Sequence, residues 1–221
     1  MDSGAEEEST ERPSARERLG DSILATLGAG SGDGVWSHGQ HIYFYCPVSK
    51  DSVYKLNREM LDLQNDFAEL QRGYPDVAMV PPPIYLHINS FGGSVFAGFA
   101  AVDFIQQSSL PVYTIVEGAT ASAATMMSVA GKRRYMRPHA SMLIHELSTW
   151  FEGKMSRVED EIDNLRQMME DIKAVYRAHT KLDGAELEEL LKHDLWPVVL
   201  FSGWDVVHRL QNPLPWFSAI S

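Results

Sequence analysis

The chain has 221 residues, 44% of them hydrophobic and 22% charged, a composition that supports one sizeable buried core and one domain with a disordered extension. Its formal net charge of −11 disfavours nucleic acid and anionic membrane as partners, and no apolar run approaches the roughly 20 residues of a membrane span. The single cysteine, Cys46, excludes an intramolecular disulfide framework and fits a reducing compartment.

Residues 1 to about 34 differ from the remainder. Asp2, Glu6, Glu7, Glu8, Glu11 and Glu17 are mixed with Arg, Ser and Pro, followed by a Gly-rich run that closes at Gly34. This composition predicts a flexible acidic arm. Its acidic start opposes a transit peptide, and the short apolar run Ile23 to Leu27 is too small for a signal sequence.

A strand is expected at 41–46, with Cys46 as a small buried hydrophobe. Val53, Leu56, Met60, Leu63, Phe67 and Leu70 then alternate spacings of three and four, which predicts an amphipathic helix lying over the sheet. The segment 72–83 contains Pro75, Pro81, Pro82 and Pro83 and reads as a surface excursion. A β-rich strand at 84–88 stops at Asn89-Ser90 and turns through Gly92-Gly93 into a helix from Val95 to Gln106. Paired glycines at a strand end permit close approach of backbone to a ligand.

Val112 to Val116 reads as a buried strand, and Glu117 as a carboxylate on the surface at its end. The small-residue run from Gly118 to Ala124 comes next and holds one candidate nucleophile, Ser122, expected in the first turn of a helix beside unpaired backbone N–H groups. Alone, such a run more often means close packing than catalysis. Further strands are expected at 134–136 and 141–145, the second delivering His145 as a candidate base. His41, His87, His139 and His193 lack metal-ligand spacing, so no metal is expected. No phosphate-binding Gly-Lys-Ser/Thr loop occurs either, which leaves no ATP site and no cofactor in the reading.

From Lys154 to His179 the residues Met155, Val158, Ile162, Leu165, Met169, Ile172, Tyr176 and His179 form one apolar stripe opposite a charged face. So long a helix is expected to project and to pair with another helix. An acidic helix at 184–192 precedes Asp194.

These segments, in this order, resemble the Clp protease proteolytic subunit family. That family's pattern runs strand-Asn-Ser-Pro-Gly-Gly, then Gly-x-Ala-Ala-Ser, then Met-Ile-His-Gln, and the resemblance covers about Gln40 to Asp194. Phe91 stands where the family has proline, and Ala123-Ala124 where it often has Met-Gly. The resemblance implies an α/β fold of repeated ββα units of the Clp and crotonase type, with the peptidase domain over 35–221. It implies Ser122 as nucleophile, His145 as general base and Asp194 as the third triad member. The backbone amides of Gly93 and Ala123 would form the oxyanion hole.

The same resemblance implies a serine endopeptidase that degrades unfolded polypeptides inside stacked heptameric rings, joined through a handle helix at about 154–180. An AAA+ unfoldase ATPase would supply the energy, the arm would stand where the family has its axial loops, and the location would be cytoplasmic. The segment 196–221 does not match the family's ending. Two other readings stand beside this one: a catalytically silent ring subunit of the same fold, and a crotonase-like acyl-CoA enzyme using Glu117.

Overall fold

A computed structural model describes residues 34–147 and 155–192. The expected arm and the atypical ending lie outside these residues, as does Asp194. The elements in chain order are β1 (Val35–His38), β2 (His41–Phe44), α1 (Lys50–Gly73), β3 (Ile84–Ser90), α2 (Val95–Gln107), β4 (Val112–Ala121), α3 (Ala123–Val129), β5 (Arg133–Met136), β6 (Ser141–Leu143), α4 (Met155–His179) and α5 (Gly184–Leu191). The expected α/β class is the observed one, and no helix among the described residues is long and apolar enough to cross a membrane.

The sheet runs β1-β2-β3-β4-β5, with β6 also paired to β4. Among the described residues only the β1–β2 hairpin is antiparallel, and the other strand pairings are parallel. Strand alternation separates the two faces. Ile42 and Phe44 of β2, Ile84, Leu86 and Ile88 of β3, and Val112 and Val116 of β4 are buried with Val53, Leu56 and Met60 of α1 and Val102 and Ile105 of α2. Full burial of each such side chain stabilises the fold by about 1.5–3 kcal/mol before entropy is counted. The other face carries rings from consecutive strands: Trp36 stacks on Tyr43, Tyr43 on His87, and His41 on Tyr85.

Helix α1 begins at a reciprocal cap, Ser49 accepting from the Ser52 amide while Ser52 accepts from the Ser49 amide, which satisfies two otherwise unpaired donors. After Gly73 the chain is irregular to residue 83, as the prolines predict, with Val80 88% exposed. Helix α4 divides into two parts. Ile172 and Tyr176 in its C-terminal half are buried, whereas Ile162 is exposed. The Tyr176 hydroxyl meets the Thr125 hydroxyl in the core, docking α4 on α3.

The sheet departs from expectation most at β1 and β4. β1 is not expected, because 35–38 adjoin the Gly-rich run; it forms because Gly39, at φ 55°, allows a two-residue turn onto β2,. β4 extends five residues past the expected end at Val116, because its second half finds a new partner in β6.

Candidate active site

The extension of β4 shapes the site. From Ile84↔Val112 to Ile88↔Val116 the strands β3 and β4 advance together, but the next pair is Ser90↔Thr120. Asn89 therefore stands opposite three residues, Glu117, Gly118 and Ala119. Such a bulge bends a strand and re-aims the residues beyond it. Gly118, at φ 61°, turns the chain, and the Asn89 side chain occupies the space its Cβ would need, 2.9 Å away. The Ala119 amide donates to Asn89 Oδ1, and the Thr120 hydroxyl donates to the Ile88 carbonyl at 3.0 Å. Before the bulge β4 pairs with β5; after it, Ala119 to Ala121 pair with Ser141 to Leu143 of β6.

Ser122 comes directly after this bent strand. It occupies the N-cap of α3, one residue before the helical turn in which it is expected, with φ 52° and ψ −129°. It is the one non-glycine at positive φ among the described residues, a conformation costing on the order of 1–3 kcal/mol. Its hydroxyl makes no capping bond. Its carbonyl instead accepts from both the amide and the hydroxyl of Thr125, so the turn is held by its backbone and not by a side-chain cap. Strained serines at strand-to-helix turns present an accessible Oγ.

The Gly92-Gly93 turn lies against this serine. A Cβ on Gly92 would fall 2.7 Å from Ser122 Cβ and 3.1 Å from the Ala123 amide nitrogen, and one on Gly93 would fall 2.3 Å from the Val48 carbonyl oxygen. Both have positive φ, at 92° and 146°. The Val48 amide donates to the Gly92 carbonyl, and the Ser94 amide to the Val48 carbonyl, each at 2.8 Å. This parallel bridge uses the residues on either side of Gly93 and leaves the Gly93 amide outside the pairing. The Ala123 amide opens α3, where no residue of the preceding turn can accept from it,. Val48, the clamp on the turn, carried no signal in the sequence.

His145 lies two residues beyond β6, partly buried. Its segment is fixed from both sides. The Ser122 amide donates to the Leu143 carbonyl at 2.9 Å, and the Glu146 amide donates to the Leu191 carbonyl at the end of α5 at 3.1 Å. Thus the structure brings the Ser122 turn, the Gly92-Gly93 turn and the strand leading to His145 together. Among the described residues no group of three or more His, Cys, Asp or Glu side chains could hold a metal ion.

Glu117 is not a surface carboxylate at a strand end. It lies within β4, its side chain 14% exposed, and its carboxylate accepts from His87 Nδ1 at 2.9 Å, Arg137 Nε at 2.8 Å and the Tyr45 hydroxyl. Burial alone would raise its pKa, but the hydrogen bonds from His87, Tyr45 and Arg137 outweigh burial and bring it down to about 2,. His41, whose Nδ1 lies 2.9 Å from His87 Nε2, has its pKa lowered to about 4 by burial and by its neighbours His87 and His38.

Known proteins are similar to this chain in sequence and in fold. The Clp protease family profile matches residues 76–199. The chain is 34% identical over 116 residues to the ATP-dependent Clp protease proteolytic subunit 2 of Treponema denticola, a match covering 52% of this chain and 58% of that protein. It is 29% identical over 164 residues to the ATP-dependent Clp protease proteolytic subunit of Bdellovibrio bacteriovorus, covering 72% and 77%. The fold is similar to that of a ClpP1 point mutant from Listeria monocytogenes, with a TM-score of 0.58 at 21% identity over 69% of this chain and 79% of the other. By sequence and by fold, this chain belongs to the Clp protease family.

Proposed function

We propose that this chain is a proteolytic subunit that hydrolyses unfolded polypeptide through an acyl-enzyme on Ser122. His145 takes the proton from Ser122 Oγ as the oxygen attacks the scissile carbonyl carbon, because an unassisted hydroxyl is a weak nucleophile at neutral pH. The tetrahedral oxyanion is stabilised by the amides of Gly93 and Ala123, a contribution on the order of 3 kcal/mol per donor. His145 then gives its proton to the leaving amine as the C–N bond breaks. In the second half-reaction it takes a proton from water, and the resulting attack releases the acid product and restores the Ser122 hydroxyl. Asp194 is assigned to orient the imidazole and stabilise its cationic form.

The observation that carries this reading is the strained, uncapped Ser122 at the β4–α3 turn, with the Gly92-Gly93 turn on one side and the end of β6 on the other. The crotonase-like alternative needs a carboxylate free to exchange protons, whereas the Glu117 carboxylate is occupied by three donors and held ionised. The names of the relatives carry the words ATP-dependent. By analogy, the working form proposed here is a ring assembly closed around a chamber and fed by a separate ATPase.

The test is labelling by a fluorophosphonate probe with peptide mapping, run beside degradation of an unfolded protein with and without a Clp-type ATPase. Labelling at Ser122 and its loss in Ser122→Ala are expected. An assembled wild-type chain that neither labels nor cleaves a short peptide would refute the assignment.

A further inference from the structure

The side chains around Glu117 lie outside the proposed nucleophile, base and oxyanion donors, yet they converge on the first residue of the β4 bulge. His87 comes from β3, Tyr45 from the residue after β2's end at Phe44, and Arg137 from the residue after β5's end at Met136. The Arg137 amide also donates to the Val116 carbonyl at 2.9 Å. His87 is itself immobilised. Its side chain is 1% exposed, its ring stacks on Tyr43 at 4.5 Å between centroids, and its Nε2 pairs with His41 Nδ1 at 2.9 Å.

This clamp sits where the strand changes partners. Up to Val116 the path of β4 is fixed by ladders to β3 and β5 on both sides. From Ala119 it is fixed by β6. Glu117 and Gly118 have no register partner in β3, β5 or β6, and glycine adds no side chain to hold its own position. In the interval the Glu117 carboxylate ties β4 to β3 and to the residues that follow β2 and β5, beside the Asn89 side chain of β3 that packs on Gly118 and accepts from the Ala119 amide. Beyond Gly118 the chain must reach Ser122 in a strained conformation whose amide meets Leu143. Strain of this kind persists only when the surrounding structure over-determines it.

From this geometry we infer that Glu117 is a positioning residue: its carboxylate, clamped by His87, Tyr45 and Arg137, holds the β4 bulge in the bend that sets Ser122 against the β6 edge leading to His145. The inference rests on the proposed role of Ser122 for its catalytic consequence, and on the bulge alone for its structural one. Loss of the clamp would leave substrate contacts outside the bulge in place while misplacing the nucleophile. An ångström of misplacement is worth up to about a hundredfold in rate.

The experiment compares wild type with Glu117→Leu, Glu117→Gln and Tyr45→Phe as assembled proteins. It reads amide hydrogen exchange over 117–124, the rate of fluorophosphonate labelling, and kcat and KM for a short peptide. In Glu117→Leu, exchange over 118–122 should rise by about tenfold. Labelling and kcat should fall by about tenfold or more with KM changed less than about twofold. Glu117→Gln, whose amide oxygen still accepts from His87 and Arg137, should recover most of both effects.

Unchanged exchange over 118–122 in Glu117→Leu overturns the inference, as does a fall in kcat that Gln does not recover. If the Leu variant does not fold, Tyr45→Phe decides, with a smaller rise in exchange expected and no rise overturning it. Should wild type resist the probe while Glu117→Leu still loosens the bulge, the clamp stands and the nucleophile assignment fails.

Discussion

The backbone amide of Ser122 donates to the carbonyl of Leu143 at 2.9 Å, and this bond ties the end of β4 to the end of β6 two residues before His145. It continues the parallel ladder of Ala119 to Ala121 with Ser141 to Leu143 by one step into the turn. The separation between the proposed nucleophile and the proposed base is thereby set by strand pairing, which is more rigid than a loop contact, and sites built on such elements keep their geometry.

Removing the hydroxyl and relieving the backbone are separable at Ser122. Ser122→Ala should abolish peptide hydrolysis and keep the strain, since alanine tolerates φ 52° no better than serine. Ser122→Gly should be equally inactive but more stable than the alanine variant by about 1 kcal/mol, because glycine adopts positive φ without steric cost. Thermal unfolding of the two variants side by side checks this; equal midpoints would mean the turn stores no strain.

The Gly92-Gly93 turn is expected to tolerate no side chain. In Gly93→Ala the methyl would meet the Val48 carbonyl oxygen at 2.3 Å at a backbone φ of 146°, so either the bridge to Val48 opens or the turn moves. A loss of at least about 2 kcal/mol of stability is expected, with peptidase activity falling more steeply than stability as the proposed oxyanion donor shifts. Gly92→Ala places its methyl 2.7 Å from Ser122 Cβ and should reduce labelling of Ser122 directly. Denaturant unfolding and labelling rate on the same preparations measure both effects.

The parts of this fold written in continuous periodicity were legible in the sequence, and those written in partner exchange were not. The stripe from Val53 to Leu70 anticipated α1, and that from Met155 to His179 anticipated α4, because a helix's pattern depends on its own spacing. β3 and the first half of β4 were visible as β-branched runs. The second half of β4, Glu-Gly-Ala-Thr-Ala, has little strand propensity and exists because β6 pairs with it, a non-local cause. For the same reason Glu117 looked like a strand end and proved to be the centre of a clamp. The signal that could have found it is strand alternation, which puts Glu117 on the face that carries Tyr43, Tyr45, Tyr85 and His87. β1 was also readable in principle, from Val35–His38 and His41–Phe44 flanking a two-residue Gly39-Gln40 turn,.

Acid should destabilise this protein in two steps whose direction is set by the shifted groups. His41 has a folded pKa lowered from 6.5 to about 4, so between those values the unfolded chain binds a proton that the folded chain does not, and stability falls as pH drops through that window. Glu117, lowered from 4.5 to about 2, contributes stability that is present above pH 4.5 and lost as pH falls toward 2. Each proton of difference gives a slope of about 1.4 kcal/mol per pH unit. Denaturant midpoints from pH 7 to pH 3 should show both, with His41→Asn flattening the upper window and Glu117→Gln the lower. Curves that superimpose on wild type would show that these groups do not differ between folded and unfolded states.

The last prediction concerns the middle of α4, where described stripe residues are less buried than in its C-terminal half. Ile172 and Tyr176 anchor the helix, Tyr176 through its hydroxyl to Thr125, which also bonds the Ser122 carbonyl. About two and three turns before Ile172, Leu165 is half-buried and Ile162 is 37% exposed, on the stripe that continues from the anchored half. If that stripe joins ring to ring, Ile162→Asp with Leu165→Asp should split the assembly into smaller species, since burying unpaired charge costs several kcal/mol in each repeated contact. The anchored half should hold, so the fold of the split particles is expected to survive. Activity should fall with the loss of assembly. Sedimentation, circular dichroism and peptide hydrolysis on the same samples test this. A double variant that sediments as wild type would exclude the stripe from the interface, and a wild type that is monomeric and active would exclude the need for one.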